Sequence, residues 1–178
     1  MQWSKLKKNI ESFFADSVKG RVELRSTRYH DSHDDEGRGY IVVDKEEIAN
    51  FCSISKWQAE SKVSNELRVI SGATDFMNPE HKTNYYAAIK QTDTLLNIQG
   101  IHSQYGFYEA LKDYLELSID DALASDNTII KALAILDRRL GKRRLLAQKN
   151  AYLTPEFMHK LFEFRCAAEG IKTENTKT

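Results

Sequence analysis

Proline is scarce in this chain, with two among 178 residues, Pro79 and Pro155. Asn78-Pro79 and Thr154-Pro155 each head an apolar-periodic stretch, so both read as helix openers, where the missing N–H costs nothing. No segment is rich enough in Pro, Gly or Ser to act as a linker, and no internal repeat is visible. One globular domain over residues 1–171 is expected. The remaining KTENTKT, 172–178, has no apolar residue and reads as a disordered tail.

Cysteine is as sparse. Cys52 and Cys166 lie far apart, each near a phenylalanine, and there is no CxxC pair. They read as two reduced, buried thiols of a cytosolic protein rather than a disulfide framework. No apolar run approaches bilayer length, and MQWSKLKKNIESFF has no continuous hydrophobic stretch ahead of a small-residue cleavage site. A cytoplasmic protein without membrane spans is the expectation. Excess charge is also missing: 26 basic residues balance 26 acidic ones. That argues against a globally steered nucleic-acid binder and leaves room for a local basic patch. There is no GxSxG, no Ser-His-Asp order and no phosphate-cradling glycine pattern, so no nucleophile or cofactor is indicated.

What is present is enough apolar material for a core: 41% hydrophobic residues, with 8 Phe, 8 Tyr and 2 Trp. Trp3, Leu6, Ile10, Phe13, Phe14 and Val18 recur at helical spacing, predicting an N-terminal amphipathic helix ended by Gly20. A membrane-surface helix has the same pattern, but a core face is the simpler reading. Val22 and Leu24 then alternate with Arg21, Glu23 and Arg25. With the turn-forming DSHDDEGRG and the β-branched YIVV, this predicts one β-hairpin. Asp44, with Glu47 as a capping-box partner, predicts a helix start. One or two helices run on to Gly72, with LRVIS as an alternative strand. Helices are expected after Asn78-Pro79, after Ser103, after the break SDN at 125–127, and after Thr154-Pro155. The fold class is therefore α+β, predominantly helical: an amphipathic helix, one hairpin, then four or five packed helices.

The neutral total hides sorting. Residues 109–126 carry one basic and six acidic side chains, whereas 127–165 carry nine basic and three acidic ones. The densest run is DRRLGKRR, 137–144. Arg138, Arg139, Lys142, Arg143 and Arg144 are the candidate anion- or partner-binding residues. Three readings compete. They stabilise a helix C-terminus, they pair with the acidic face of the same protein, or they grip an external anion. The two structural readings are favoured, because charge runs on helices are usually solvated faces. HDSHDDE, 30–36, offers imidazole and carboxylate donors for a metal. Histidines three apart on a turn do not preorganise such a site, and no metal is expected. Asp120 and Asp121, adjacent on a helix, diverge by about 100° and cannot share a proton. His81, His102 and His159 read as solvent-facing or capping.

WSKLKKNIESFF, DSVKGRVELRSTRYH, GRGYIVVDKEEIANFC and SDNTIIKALAILDRRLGKRRL together resemble a family of small bacterial proteins of similar length with no assigned activity. The likeness leaves out the middle, about 56–100. It implies a cytosolic bacterial accessory or mobile-element product and brings no cofactor or catalytic residue. The leading expectation is a non-enzymatic protein that binds another protein through charged and aromatic surface. The runner-up is a nucleic-acid or phosphate binder using Arg138–Arg144, with Arg21 and Arg25. A metal-dependent hydrolase is a distant third.

Overall fold

The computed structural model describes residues 2–29, 37–73, 75–149 and 154–172. The HDSHDDE run and all but the first residue of the expected tail lie outside the described residues. The expected class is the one adopted, with eight helices and one three-stranded antiparallel sheet among the described residues.

Helix α1 (Trp3–Phe13) buries Leu6 and Ile10. It ends earlier than the apolar spacing suggests. Phe14 leaves the helix to bridge Asp137, with Ala15 N–H donating to Leu136 O at 2.9 Å and Arg138 N–H to Phe13 O at 2.8 Å. Gly20, at φ 74°, sits in the turn that follows. Strands β1 (Val22–Arg28) and β2 (Gly37–Val43) form the expected hairpin, pairing Val22 with Val43 and Leu24 with Ile41. The outer edge of β1 is closed by Glu11, whose carboxylate accepts the Leu24 N–H at 2.8 Å.

The predicted helix start at Asp44 is replaced by a third strand, β3 (Glu46–Cys52), antiparallel to β2. Asp44 and Lys45 both adopt positive φ, 48° and 75°. That is the two-residue turn whose twist matches a hairpin. The Asp44 carboxylate is taken by Arg21, at 2.9 and 2.6 Å, and caps nothing. Ala49 and Phe51 are buried two apart, the strand period. The resulting order is β1-β2-β3.

Helix α2 (Ser53–Ile70) follows directly, so LRVIS is helical. Helix α3 (Lys82–Ile98) begins after a turn at Asn78-Pro79. It closes with Gly100 at φ 74°, where Ile101 N–H reaches Leu96 O at 2.8 Å and Gly100 N–H reaches Asn97 O at 2.9 Å. Ser103 caps α4 (Gln104–Glu116), and Ser118 caps α5 (Ile119–Ala124). Asn127 accepts two N–H groups at the head of α6 (Thr128–Leu136). Helix α7 (Lys142–Ala147) starts after Gly141. Helix α8 (Glu156–Ala168) starts after Pro155 as expected.

The core centres on α6, where eight of nine residues are buried. A helix apolar on all sides belongs inside. Helices α4, α5 and α8 surround it, and α1 and the sheet close one side. Phe107 stacks on Phe51 at 5.1 Å and lies flat against Gly39, where an added Cβ would fall 2.1 Å from its ring. Gly39 is required there because the sheet and α4 touch at that point.

Candidate functional site

The basic run divides into two kinds of residue. Arg139 serves the fold. Asp137 is fully buried and accepts the Arg139 backbone N–H at 2.6 Å, the Arg139 Nε–H at 2.9 Å and the Tyr114 hydroxyl. The Arg139 guanidinium also donates to Leu117 O at 3.2 Å and lies over the Phe13 ring at 4.6 Å. Its pKa is raised, foremost by its hydrogen bond to Asp137. Burial, then the bond to Asp137, pushes the Tyr114 hydroxyl well above the usual phenol range. Together these residues tie the end of α6 to α1 and α4. Lys142 donates to Glu169 O at 2.8 Å, and its ammonium stands 3.4 Å from the Glu169 carboxylate. Glu169 also accepts from Ser17 at 2.7 Å and pairs with buried Arg165 at 2.9 Å. Arg144 pairs with Asp120 of the acidic stretch. Thus Arg139, Lys142 and Arg144 face partners within the chain. Arg138 and Arg143 are exposed.

No group of three or more His, Cys, Asp or Glu stands ready for a metal among the described residues. A cleft of about 550 Å³ lies between the ends of α3 and α8 and the start of α6. Within it Asn97 Nδ2 donates to Asp126 O at 2.6 Å, and the Thr128 hydroxyl to Asn97 O at 3.1 Å. Behind it, His102 is buried rather than solvent-facing, with Nε2 at 2.7 Å from Thr128 Oγ1. Burial, then Lys56, pushes its imidazole down to about 4. The result is a neutral ring bracing a helix start. Cys52 is half-buried at the head of α2. Burial raises its thiol, but hydrogen bonds from Ser55, Tyr29 and Ile54 outweigh that and lower it overall. Cys166 is buried and its thiol is raised by desolvation.

The distinctive surface lies elsewhere, on α2 and α3. These helices form an antiparallel arm in which α2 buries only Ser64 and α3 only Ala88, Thr92 and Leu96. Among the described residues ten large hydrophobic side chains are exposed, and eight belong to this arm. Five gather at its tip. Val69, Ile70 and Met77 are 68%, 81% and 81% exposed, joined by Phe76 and Tyr86. Phe76 packs edge-on to Tyr86 at 6.1 Å and against Tyr85 at 5.2 Å, so aromatic rings cluster at the tip. The other three, Ile54, Trp57 and Ile98, mark the base. The tip alone leaves on the order of 500 Å² of apolar side chain in water, the size of the largest apolar patch on a typical monomeric protein. The arm carries five basic and five acidic residues and so no net charge. Sequence reading missed it because its residues alternate with polar ones and show no clean stripe. The one available signal was that LRVIS and DFMNP place apolar side chains around a turn with nothing obvious to cover them.

The fold and this surface define an α+β protein with a helical core and a projecting apolar arm, and no helix among the described residues is long and apolar enough to cross a membrane. The chain belongs to the SF0329 protein family, whose sequence model matches residues 2–166 and so includes the arm. No curated protein and no solved structure matches the chain.

Proposed function

We propose that this chain is a non-enzymatic interaction protein that binds another protein through the α2–α3 arm. One observation carries the reading: eight of the ten exposed large hydrophobics described lie on a single hairpin whose inner face is already used. The body supplies the scaffold, and its charged clusters mostly close on themselves, so the binding surface is apolar and aromatic more than ionic. Free thiols at Cys52 and Cys166 support the expected reducing, cytoplasmic setting, and the resemblance of the hairpin and late basic stretch supports a bacterial accessory role.

The test compares partners captured by the native chain, by an arm variant (Val69→Glu with Met77→Glu) and by Arg143→Glu. A partner lost with the arm variant and kept with Arg143→Glu is the expected result. The reverse pattern overturns the reading. The nucleic-acid alternative now rests on Arg138 and Arg143, the exposed pair. It demands oligonucleotide binding that weakens steeply between 50 and 200 mM salt, by anisotropy.

A further inference from the structure

The cleft of about 550 Å³ at the base of the arm falls within the roughly 300–1,000 Å³ of small-molecule sites. Three elements converge on it. The end of α3 supplies Asp93, Thr94, Asn97 and Ile98, the start of α6 supplies Thr128 and Lys131 just behind Asp126, and α8 supplies Met158. Met158 and Thr128 are buried and still border the cleft, so they form its floor. Lys131 and Asn97 are half-buried and form its walls. Asp93, Ile98 and Asp126 are exposed at its mouth.

The amides that open α6 are taken. Thr128 N–H donates to Asn97 Oδ1 at 3.3 Å, Ile129 and Ile130 N–H to Asn127 Oδ1 at 2.9 and 3.3 Å, and Lys131 N–H to Asn127 O at 3.1 Å. The helix start therefore has no N–H group to give an anion. The Thr94 hydroxyl is likewise spent on Lys90 O at 3.1 Å. By contrast, neither the Lys131 ammonium nor the Asp126 carboxylate makes a hydrogen bond or ion pair among the described residues, and Asp93 meets Lys56 only at 3.5 Å. A half-buried ammonium has given up part of its hydration and gains from a carboxylate. A simple anion placed there would face Asp93 and Asp126, and a simple cation would face Lys131. A molecule carrying both signs satisfies each, and Ile98 and Met158 remain to cover an apolar portion.

We infer that the cleft binds a free α-amino acid with an aliphatic side chain: its carboxylate on Lys131, its ammonium on Asp126, and its side chain against Ile98 and Met158. The site is separate from the arm's tip, and either can fail without the other. Titration of the isotope-labelled protein with L-leucine up to 10 mM, read by amide chemical shifts, tests it. Leucine is expected to bind with a Kd on the order of 0.1 mM and to move the amides of Asn97, Thr128 and Lys131. Isoamylamine, which lacks the carboxylate, and 4-methylpentanoate, which lacks the ammonium, each bind at least about 10-fold more weakly. Lys131→Met loses about 10-fold in leucine affinity and no longer prefers leucine to isoamylamine. Asp126→Asn loses about as much and no longer prefers leucine to 4-methylpentanoate. A merely structural role for either residue would not move these preferences. Neither side chain has a described partner, so both variants keep the native urea midpoint. No shifts at 10 mM leucine, shifts that avoid the cleft, an analogue bound as tightly as leucine, or variants with unaltered preferences would each overturn the inference.

Discussion

Arg139 and Arg143 stand four residues apart in one basic run, yet the structure gives them opposite roles, and replacing each with alanine separates these. Arg139→Ala strips the buried Asp137 carboxylate of two guanidinium contacts, at 2.9 and 2.8 Å, and leaves it with the Arg139 backbone N–H and the Tyr114 hydroxyl. Removing one partner of a buried ion pair costs about 3–5 kcal/mol. The Arg139 side chain is 32% exposed, so water replaces part of what is lost and the lower end applies, about 3 kcal/mol. With a urea slope of about 2 kcal/mol/M, the unfolding midpoint falls by roughly 1.5 M. Arg143→Ala removes no described contact and leaves the midpoint within about 0.3 M of the native value. The assay is equilibrium urea unfolding followed by tryptophan fluorescence, with Tyr114→Phe as an intermediate case. Equal midpoints for Arg139→Ala and Arg143→Ala would refute the structural role given to Arg139.

Burial lowers the His102 imidazole to about 4, so the folded state binds fewer protons than the unfolded chain. Its contribution is whole above the ordinary histidine value and is lost as pH falls through 6.5 towards 4. The loss is about 3 kcal/mol. Urea titrations from pH 7 to 4 should show that slope, and His102→Gln should flatten it; equal slopes count against it. Gly39→Ala places a methyl on the Phe107 ring and should destabilise by about 1–3 kcal/mol in the same assay, whereas a neutral result would mean that the strand and helix separate freely. Cys52, half-buried with a lowered thiol, should be alkylated by iodoacetamide well before buried Cys166. Mass spectrometry of the adducts reads the order, and faster labelling of Cys166 contradicts it.

Much of the fold was legible from local chemistry. Ser103 and Asn127 cap their helices through their own side chains, as their positions suggested. Gly100 and Gly170 end helices at positive φ. The alternation of Val22 and Leu24 holds in β1, whereas Ile41, Val42 and Val43 of β2 are buried in a row where the pairing with β3 shifts register. Errors arose where two local rules compete. Asp44 and Glu47 fit a capping box, but the same residues fit a tight turn followed by a half-buried strand, and long-range pairing with β2 decided it. Arg139 looked like a surface cation because nothing local reveals that Tyr114 and Asp137 meet across 23 residues. The expected pairing of acidic and basic stretches appears at Arg144 and Asp120, while Lys142 turned to Glu169 instead. The arm was illegible for another reason. Exposure of an apolar residue depends on what fails to cover it, and that is a property of the whole fold.

The arm as the meeting point with other chains is tested most directly by photo-cross-linking in living cells. A benzophenone amino acid is placed at Met77, at the exposed tip, or at Arg143, on the exposed basic run. Illumination should yield a discrete protein adduct from position 77 and none from position 143. Adducts at 143 with none at 77 would contradict the assignment.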